Sequence, residues 1–207
     1  MTLPTNRQQS ASTTRRNDAP ILSAALNSFA ERGFNGAAMR EIAQEAGTSL
    51  SNLYNYYPSK QALLHQVLST SNQELLHCLR AAVDKPRLTP AERLAAAVRA
   101  HVGFVIDHQQ LSRVALTEIR YLTGSLRSDV VAARDGADAV FRIIIEDGRA
   151  DGTFRTPYPE GAARAILSMN SVICTWYHQD GPLTGAEIAE AQSRYALGLV
   201  EATVHPR

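Results

Sequence analysis

From Ile21 onward the apolar residues of this chain return at intervals of three and four, and no stretch sustains an apolar–polar alternation. A period near 3.6 lays such residues along one face of a helix, whereas a half-buried strand needs a period of two. The chain is therefore expected to be all-α. Leu22, Ala25, Leu26 and Phe29 fall at i, i+3, i+4, i+7, and Gly33 is placed to end that helix. Ile42, Ala43 and Ala46 mark a short second helix closed by Gly47. Ser49 caps a third, which carries Leu50, Leu53, Tyr54 and Tyr57. Pro58 stops it, and Ser59 caps a long fourth helix with Leu64, Val67, Leu68, Ser71, Leu75 and Leu79 on one face.

A break at Lys85-Pro86-Arg87-Leu88-Thr89-Pro90 separates this group from the rest. Thr89 as cap, Pro90 at the first helical position and Glu92 at the third restart a helix whose face holds Leu94, Val98, His101, Val105 and His108. Further helices are expected over 111–121, 126–148, 160–178 and 185–204, with Asp147-Gly148 and Asp151-Gly152 as turns. In the 160–178 helix Ala163, Ile166, Leu167, Asn170, Ile173, Cys174 and Tyr177 form one stripe, and Met169, Val172 and Trp176 a second edge beside it. A helix apolar on two sides is buried on two sides. With the small residues of the last helix (Ile188, Ala191, Tyr195, Gly198, Leu199 and Ala202) this predicts a homodimer through a helix pair.

Charge excludes one class of function. Lys and Arg number 21 against 20 acidic residues, a net charge of +1, so a general nucleic-acid coat protein is ruled out and any DNA site must be local. Cys78 and Cys174 lie far apart in helical patterns, offering neither a disulfide framework nor a metal-binding pair. No run of ~18 apolar residues is present and the start has no apolar signal core, so a cytoplasmic protein with no membrane partner is expected. Residues 1–17 contain Arg7, Arg15 and Arg16 but no acid and little apolar surface. They read as a flexible basic tail, either inert or an arm that reaches DNA.

The strongest local pattern lies at residues 37–57, where two short helices flank Gly47-Thr48-Ser49. A three- or four-residue turn containing glycine between such helices is the helix-turn-helix arrangement, although ordinary helical hairpins share it. In that motif the second helix enters the major groove while the first braces it. Ser49, Leu50, Ser51, Asn52 and Asn55 then become groove-facing candidates: asparagine can read adenine with two hydrogen bonds, and leucine can meet a thymine methyl. Tyr54 and Tyr56 offer hydroxyls to phosphate. Lys60 falls in the first turn of the fourth helix, where a cation is misplaced unless an anion arrives.

Matches on both sides of this turn sharpen the reading. Gly33-Phe34, Met39-Arg40-Glu41-Ile42-Ala43, Glu45-Ala46-Gly47, Leu53-Tyr54-Asn55-Tyr56-Tyr57-Pro58-Ser59-Lys60 and Ala62-Leu63-Leu64 closely resemble the tetracycline-repressor (TetR) family over about residues 20–66. That resemblance implies a three-helix DNA-binding domain at 18–64 and a ligand-binding and dimerisation domain at 65–207. It implies a regulator, most simply a repressor, that binds a palindromic double-stranded DNA operator as a dimer and is released by a small-molecule effector, with no catalytic role, no cofactor and no metal. A helical carrier that has lost operator function is the alternative. Its support is one departure: Ala37 and Ala38 stand where the family has two hydroxyl residues, removing an N-cap and a phosphate contact and leaving Glu41 without a capping partner. DNA affinity would then lean on Arg40, Tyr54, Tyr56 and Lys60.

The C-terminal part also resembles a subgroup that regulates lipid and steroid catabolism, in Arg149-Ala150-Asp151-Gly152-Thr153-Phe154-Arg155, Ala165-Ile166-Leu167-Ser168-Met169-Asn170, Thr175-Trp176-Tyr177-His178 and Asp180-Gly181-Pro182-Leu183-Thr184. The implied effector is an acyl-CoA. Phe104, Leu116, Phe141, Met169, Ile173 and Trp176 could line an apolar cavity, although ordinary core packing accounts for such residues equally well. Arg113 and Arg120 could take CoA phosphates, or simply be solvated. Asn170, a lone amide in an apolar stripe, requires a hydrogen-bond partner from backbone, second subunit or ligand. His101 and His108, seven residues apart on one face, could form a metal pair, but no further ligand cluster accompanies them, which favours core or surface histidines.

Overall fold

Gly33 breaks the first helix one turn before its end. In the computed structural model, which describes the backbone of residues 8–203 and the side chains of 18–203, α1 (Gln8–Gly36) bends there, with Gly33 at φ 66° and ψ 171°. Its helical backbone begins at Gln8, so residues 8–17 of the expected tail belong to a helix. None of them is glycine or proline, and extending a helix already nucleated by packing costs little. The arm reading of Arg7, Arg15 and Arg16 lies outside the described side chains.

Three helices complete the N-terminal group: α2 (Met39–Glu45), α3 (Leu50–Tyr56) and the first half of α4 (Lys60–Val83). Their core is built by Ile21, Ala25 and Phe29 of α1, Ile42 and Ala43 of α2, Leu53 of α3, and Leu63, Leu64 and Leu68 of α4. The division at 64/65 thus falls inside α4, which is continuous through it; its C-terminal Leu79 packs into the second core.

The second group comprises α5 (Pro90–Asp107), α6 (Gln109–Thr117), α7 (Gly124–Ala150), α8 (Pro159–Ser171), α9 (Ile173–Trp176) and α10 (Gly185–Leu199), with a 3₁₀ turn at Ile119–Tyr121. Thr89 with Glu92, and Thr184 with Glu187, form complete capping boxes at the starts of α5 and α10. Helix α5 is central, packed against α4, α7, α8 and α10. No strand occurs among the described residues.

Two expectations are corrected. Asp147-Gly148 is no turn but part of α7, while Asp151-Gly152 is one, with Gly152 at φ 81°. Gly148 is buried because the Phe154 ring lies on it, and an added Cβ would stand 2.3 Å from the ring edge. Gly148→Ala is expected to cost about 1–3 kcal/mol through overpacking, because the buried Phe154 cannot swing clear. Urea unfolding of the variant measures it; an unshifted midpoint would contradict the contact.

The second correction concerns 160–178, which is not one helix. It ends at Ser171 and resumes as the single turn α9. Cys174 Sγ and Thr175 Oγ1 donate to the carbonyls of Ser171 and Val172, a competition with helical hydrogen bonding that the β-branched pair Val172-Ile173 reinforces. The last helix similarly stops at Leu199, short of 204.

Candidate nucleic-acid interface and effector cavity

Helix α3 is amphipathic over two turns. Leu53 is fully buried and Tyr57, just past its end, nearly so, while Leu50, Ser51, Tyr54 and Asn55 are exposed together on the opposite side. Ser49 accepts a hydrogen bond from the Asn52 backbone N–H at 3.1 Å, the expected N-cap. Asn52 itself is turned aside: its Nδ2 donates to Thr48 Oγ1 at 2.7 Å, tying the recognition helix to the turn. Tyr54 is 46% exposed, whereas Tyr56 is half-buried against the core. Burial, helped by nearby Asp18, pushes the Tyr57 phenol up to about 12, so Tyr57 is an uncharged core residue.

The missing hydroxyl at position 38 has the consequence expected of it. Ala38 occupies the N-cap of α2 with extended backbone and no side-chain hydrogen bond. Glu41 is not idle, however, since it pairs with Arg32 of α1. Ala37 is buried in the core, and Arg40 is exposed on α2.

Lys60 departs from the sequence reading. Its Nζ donates to the Ala37 carbonyl at 2.8 Å and the Asn35 carbonyl at 3.4 Å, and it stands 4.6 Å from the centroid of the Phe34 ring. The ammonium is already satisfied by carbonyls at the end of α1, so no outside anion is needed to account for it. It braces the start of α4 against the loop leading into α2.

The same loop is gripped from the other side. Glu118, buried at the end of α6, accepts the Phe34 backbone N–H at 2.7 Å. Phe34 stacks between Phe29 at 5.9 Å and Tyr121 at 5.0 Å, and Asn35 Nδ2 donates to the Tyr121 hydroxyl at 3.3 Å. The far end of α6 is equally tied: Gln109 and Arg113 donate to carbonyls of α9 and the residue after it, Cys174 and Tyr177.

Between these ends α6 forms one wall of a cavity of about 110 Å³ enclosed by α4, α5, α6, α7 and α8. Leu68, Leu75, Phe104, Val105, Leu116, Val130 and Leu167 supply its apolar lining. Of the residues expected there, Phe104 and Leu116 line it. Phe141, Ile173 and Asn170 are core residues behind the wall; Met169 packs against the core and Trp176 is 45% exposed on the outer surface. Arg113 is committed to Cys174, and Arg120 lies over the Tyr121 ring at 5.1 Å. Sequence reasoning missed the apolar residues Leu68, Leu75, Val105, Val130 and Leu167, and the polar residues Ser71, Asn72, His101, Ser112, Ser171 and, exposed on the α7 wall, Arg134. His101 had a signal, a histidine on a buried stripe. Burial lowers its pKa to about 4, so the ring is neutral at physiological pH. Among the described residues no group of three metal-ligating side chains assembles.

Apolar side chains are also exposed outside the cavity: Val172 and Trp176 beyond the end of α8, and Tyr195 and Leu199 one turn apart on α10. Ile188 turns inward instead, with Ala189, Ser193 and Ala196.

Comparison with known proteins agrees with this geometry. Residues 87–200 match the family model described as a tetracyclin repressor-like C-terminal domain, and residues 21–67 match that of bacterial regulatory proteins of the tetR family. The HTH-type transcriptional repressor KstR2 of Mycolicibacterium smegmatis is 27% identical over 181 residues, 86% of this chain and 87% of that protein. The crystal structure of a tetR-family regulatory protein from Rhodococcus RHA1 superposes with a TM-score of 0.86 at 28% identity, covering 91% of this chain and 99% of that one. AibR in complex with isovaleryl coenzyme A and operator DNA superposes at 0.80 with 25% identity, over 91% of this chain and 100% of that one. No described helix is long and apolar enough to cross a membrane.

Proposed function

This chain belongs to the tetracycline-repressor family of bacterial regulatory proteins, and from that premise we propose a cytoplasmic repressor that grips a palindromic operator as a homodimer and lets go when an acyl-CoA occupies its cavity. The observation that carries the DNA half is the outward face of α3, where Leu50, Ser51, Tyr54 and Asn55 are exposed together on a helix anchored by Leu53. Leu50, Ser51 and Asn55 read base edges; Tyr54, with Arg40, contacts phosphate. Lys60, Ser49 and Asn52 serve the shape of the motif, and Tyr56 keeps only its hydroxyl for DNA.

The effector half rests on the cavity and on the kinship with KstR2 and AibR. A space of about 110 Å³ with apolar walls suits a short acyl chain. An engineered apolar cavity of about 150 Å³ holds benzene, so a fused ring system would need a larger space than this one. Arg134, at the exposed rim, is placed to meet a CoA phosphate, and the expected roles of Arg113 and Arg120 pass to it.

Operator fragments selected from genomic DNA provide the test. Tyr54→Phe is expected to weaken binding by a similar factor on selected and scrambled duplexes, since phosphate contacts carry no sequence information. Asn55→Ala is expected to relax preference at particular base pairs, by about 1–3 kcal/mol at each. A wild-type protein that selects no fragment would instead leave a ligand carrier.

A further inference from the structure

Polar groups line the cavity or stand just behind its wall, and two of their atoms have no partner within the protein. Asn170 is fully buried; its Nδ2 lies 3.4 Å from His101 Nδ1, and its Oδ1 has no hydrogen-bond partner. Ser112 Oγ is likewise buried without a partner. His101 and Ser112 border the cavity, whereas Asn170 stands behind the imidazole. With Asn170 Nδ2 donating to Nδ1, the imidazole proton resides on Nε2, at the ring edge turned away from Asn170. Folded proteins leave few buried polar groups unsatisfied, and donors set among apolar lining residues are suited to one acceptor atom of a ligand.

We propose that His101 Nε2–H and Ser112 Oγ–H together bind the carbonyl oxygen of a short acyl thioester whose hydrocarbon chain fills the cavity. Asn170 is the positioning residue: by occupying Nδ1 it selects the donor tautomer and orients the ring. Both donors are neutral and the lining cation, Arg134, is exposed, so the pair favours an uncharged carbonyl over a carboxylate. The thioester's sulfur end then leaves toward the exposed Arg134. This assignment rests on the acyl-CoA reading and adds the atom that is recognised.

Calorimetric titration of the full-length protein with three probes tests it: a five-carbon branched acyl-CoA, the matching S-alkyl CoA thioether that lacks the carbonyl, and CoA alone. The thioester is expected to bind at least about tenfold more tightly than the thioether, the factor given by one net hydrogen bond. His101→Phe and Ser112→Ala should each shrink that preference, read as the ratio of thioester to thioether affinity within the same variant. In the wild-type protein, which needs no variant to fold, the ¹⁵N resonance of His101 Nε2 should shift with the thioester and not with the thioether. Equal affinity for thioester and thioether would overturn the carbonyl anchor while leaving acyl-CoA as effector. Failure of both to bind would overturn the effector reading and the anchor with it.

Discussion

Leu199→Glu is expected to turn the protein into a monomer and to weaken operator binding by about 10²–10⁴-fold, because a tethered second half-site contributes that much through effective concentration. Leu199 is 41% exposed on α10, one helical turn from the exposed Tyr195. Exposed apolar side chains that share one helix face are where a second copy is expected to dock. Two-fold symmetry sets each residue against its own face on a second copy, so the variant places two carboxylates at one contact. Light scattering reads the assembly state and a mobility shift reads the DNA. A stable dimer in the variant would move the interface elsewhere on the molecule.

A second large effect is expected at Glu118. Helix α6 borders the cavity through Ser112, Ala115 and Leu116, and at its end Glu118 holds the Phe34 N–H of the loop that orients α2. The proposed signal runs from a ligand in the cavity through α6 and the Glu118 carboxylate to the DNA-binding helices. Glu118→Ala leaves the Phe34 N–H unpaired, at a cost of about 1–3 kcal/mol, and detaches the two parts. Effector affinity in the absence of DNA should stay near wild type. Effector-driven release should fall from about a hundredfold to less than about tenfold, since coupling of ~2.7 kcal/mol would lose half or more of its value. Full release in the variant would show that the signal travels by another route, for instance along the continuous α4.

How far these features are legible in the sequence depends on the range of the interactions involved. The starts of α3, α4 and α5 are legible because a cap acts within four residues: Ser49, Ser59 and Thr89 all accept the hydrogen bonds their positions imply. The outward face of α3 is legible from periodicity and from the family motif together. The role of Lys60 is not, because its partners, the Ala37 and Asn35 carbonyls and the Phe34 ring, lie more than twenty residues away in the chain. Asp147-Gly148 has the composition of a turn, yet the Phe154 ring requires a glycine inside the helix. Of the apolar residues that the sequence suggests for a cavity only Phe104 and Leu116 line it, and its polar groups are hidden because His101 and Ser112 come from different helices, with Asn170 of a third behind the imidazole. Trp176, expected both near the effector and buried by dimerisation, lies on the surface of the single chain, away from the cavity lining.

The most direct test of regulated operator binding is a linkage measurement on the wild-type dimer. Operator affinity is determined by fluorescence anisotropy with and without saturating five-carbon acyl-CoA, and acyl-CoA affinity is determined with and without operator. The two ratios must be equal, whatever path connects the sites. A fall of about a hundredfold in both directions, ~2.7 kcal/mol of coupling, is the predicted result. An acyl-CoA that binds free and operator-bound dimer with the same affinity would contradict it.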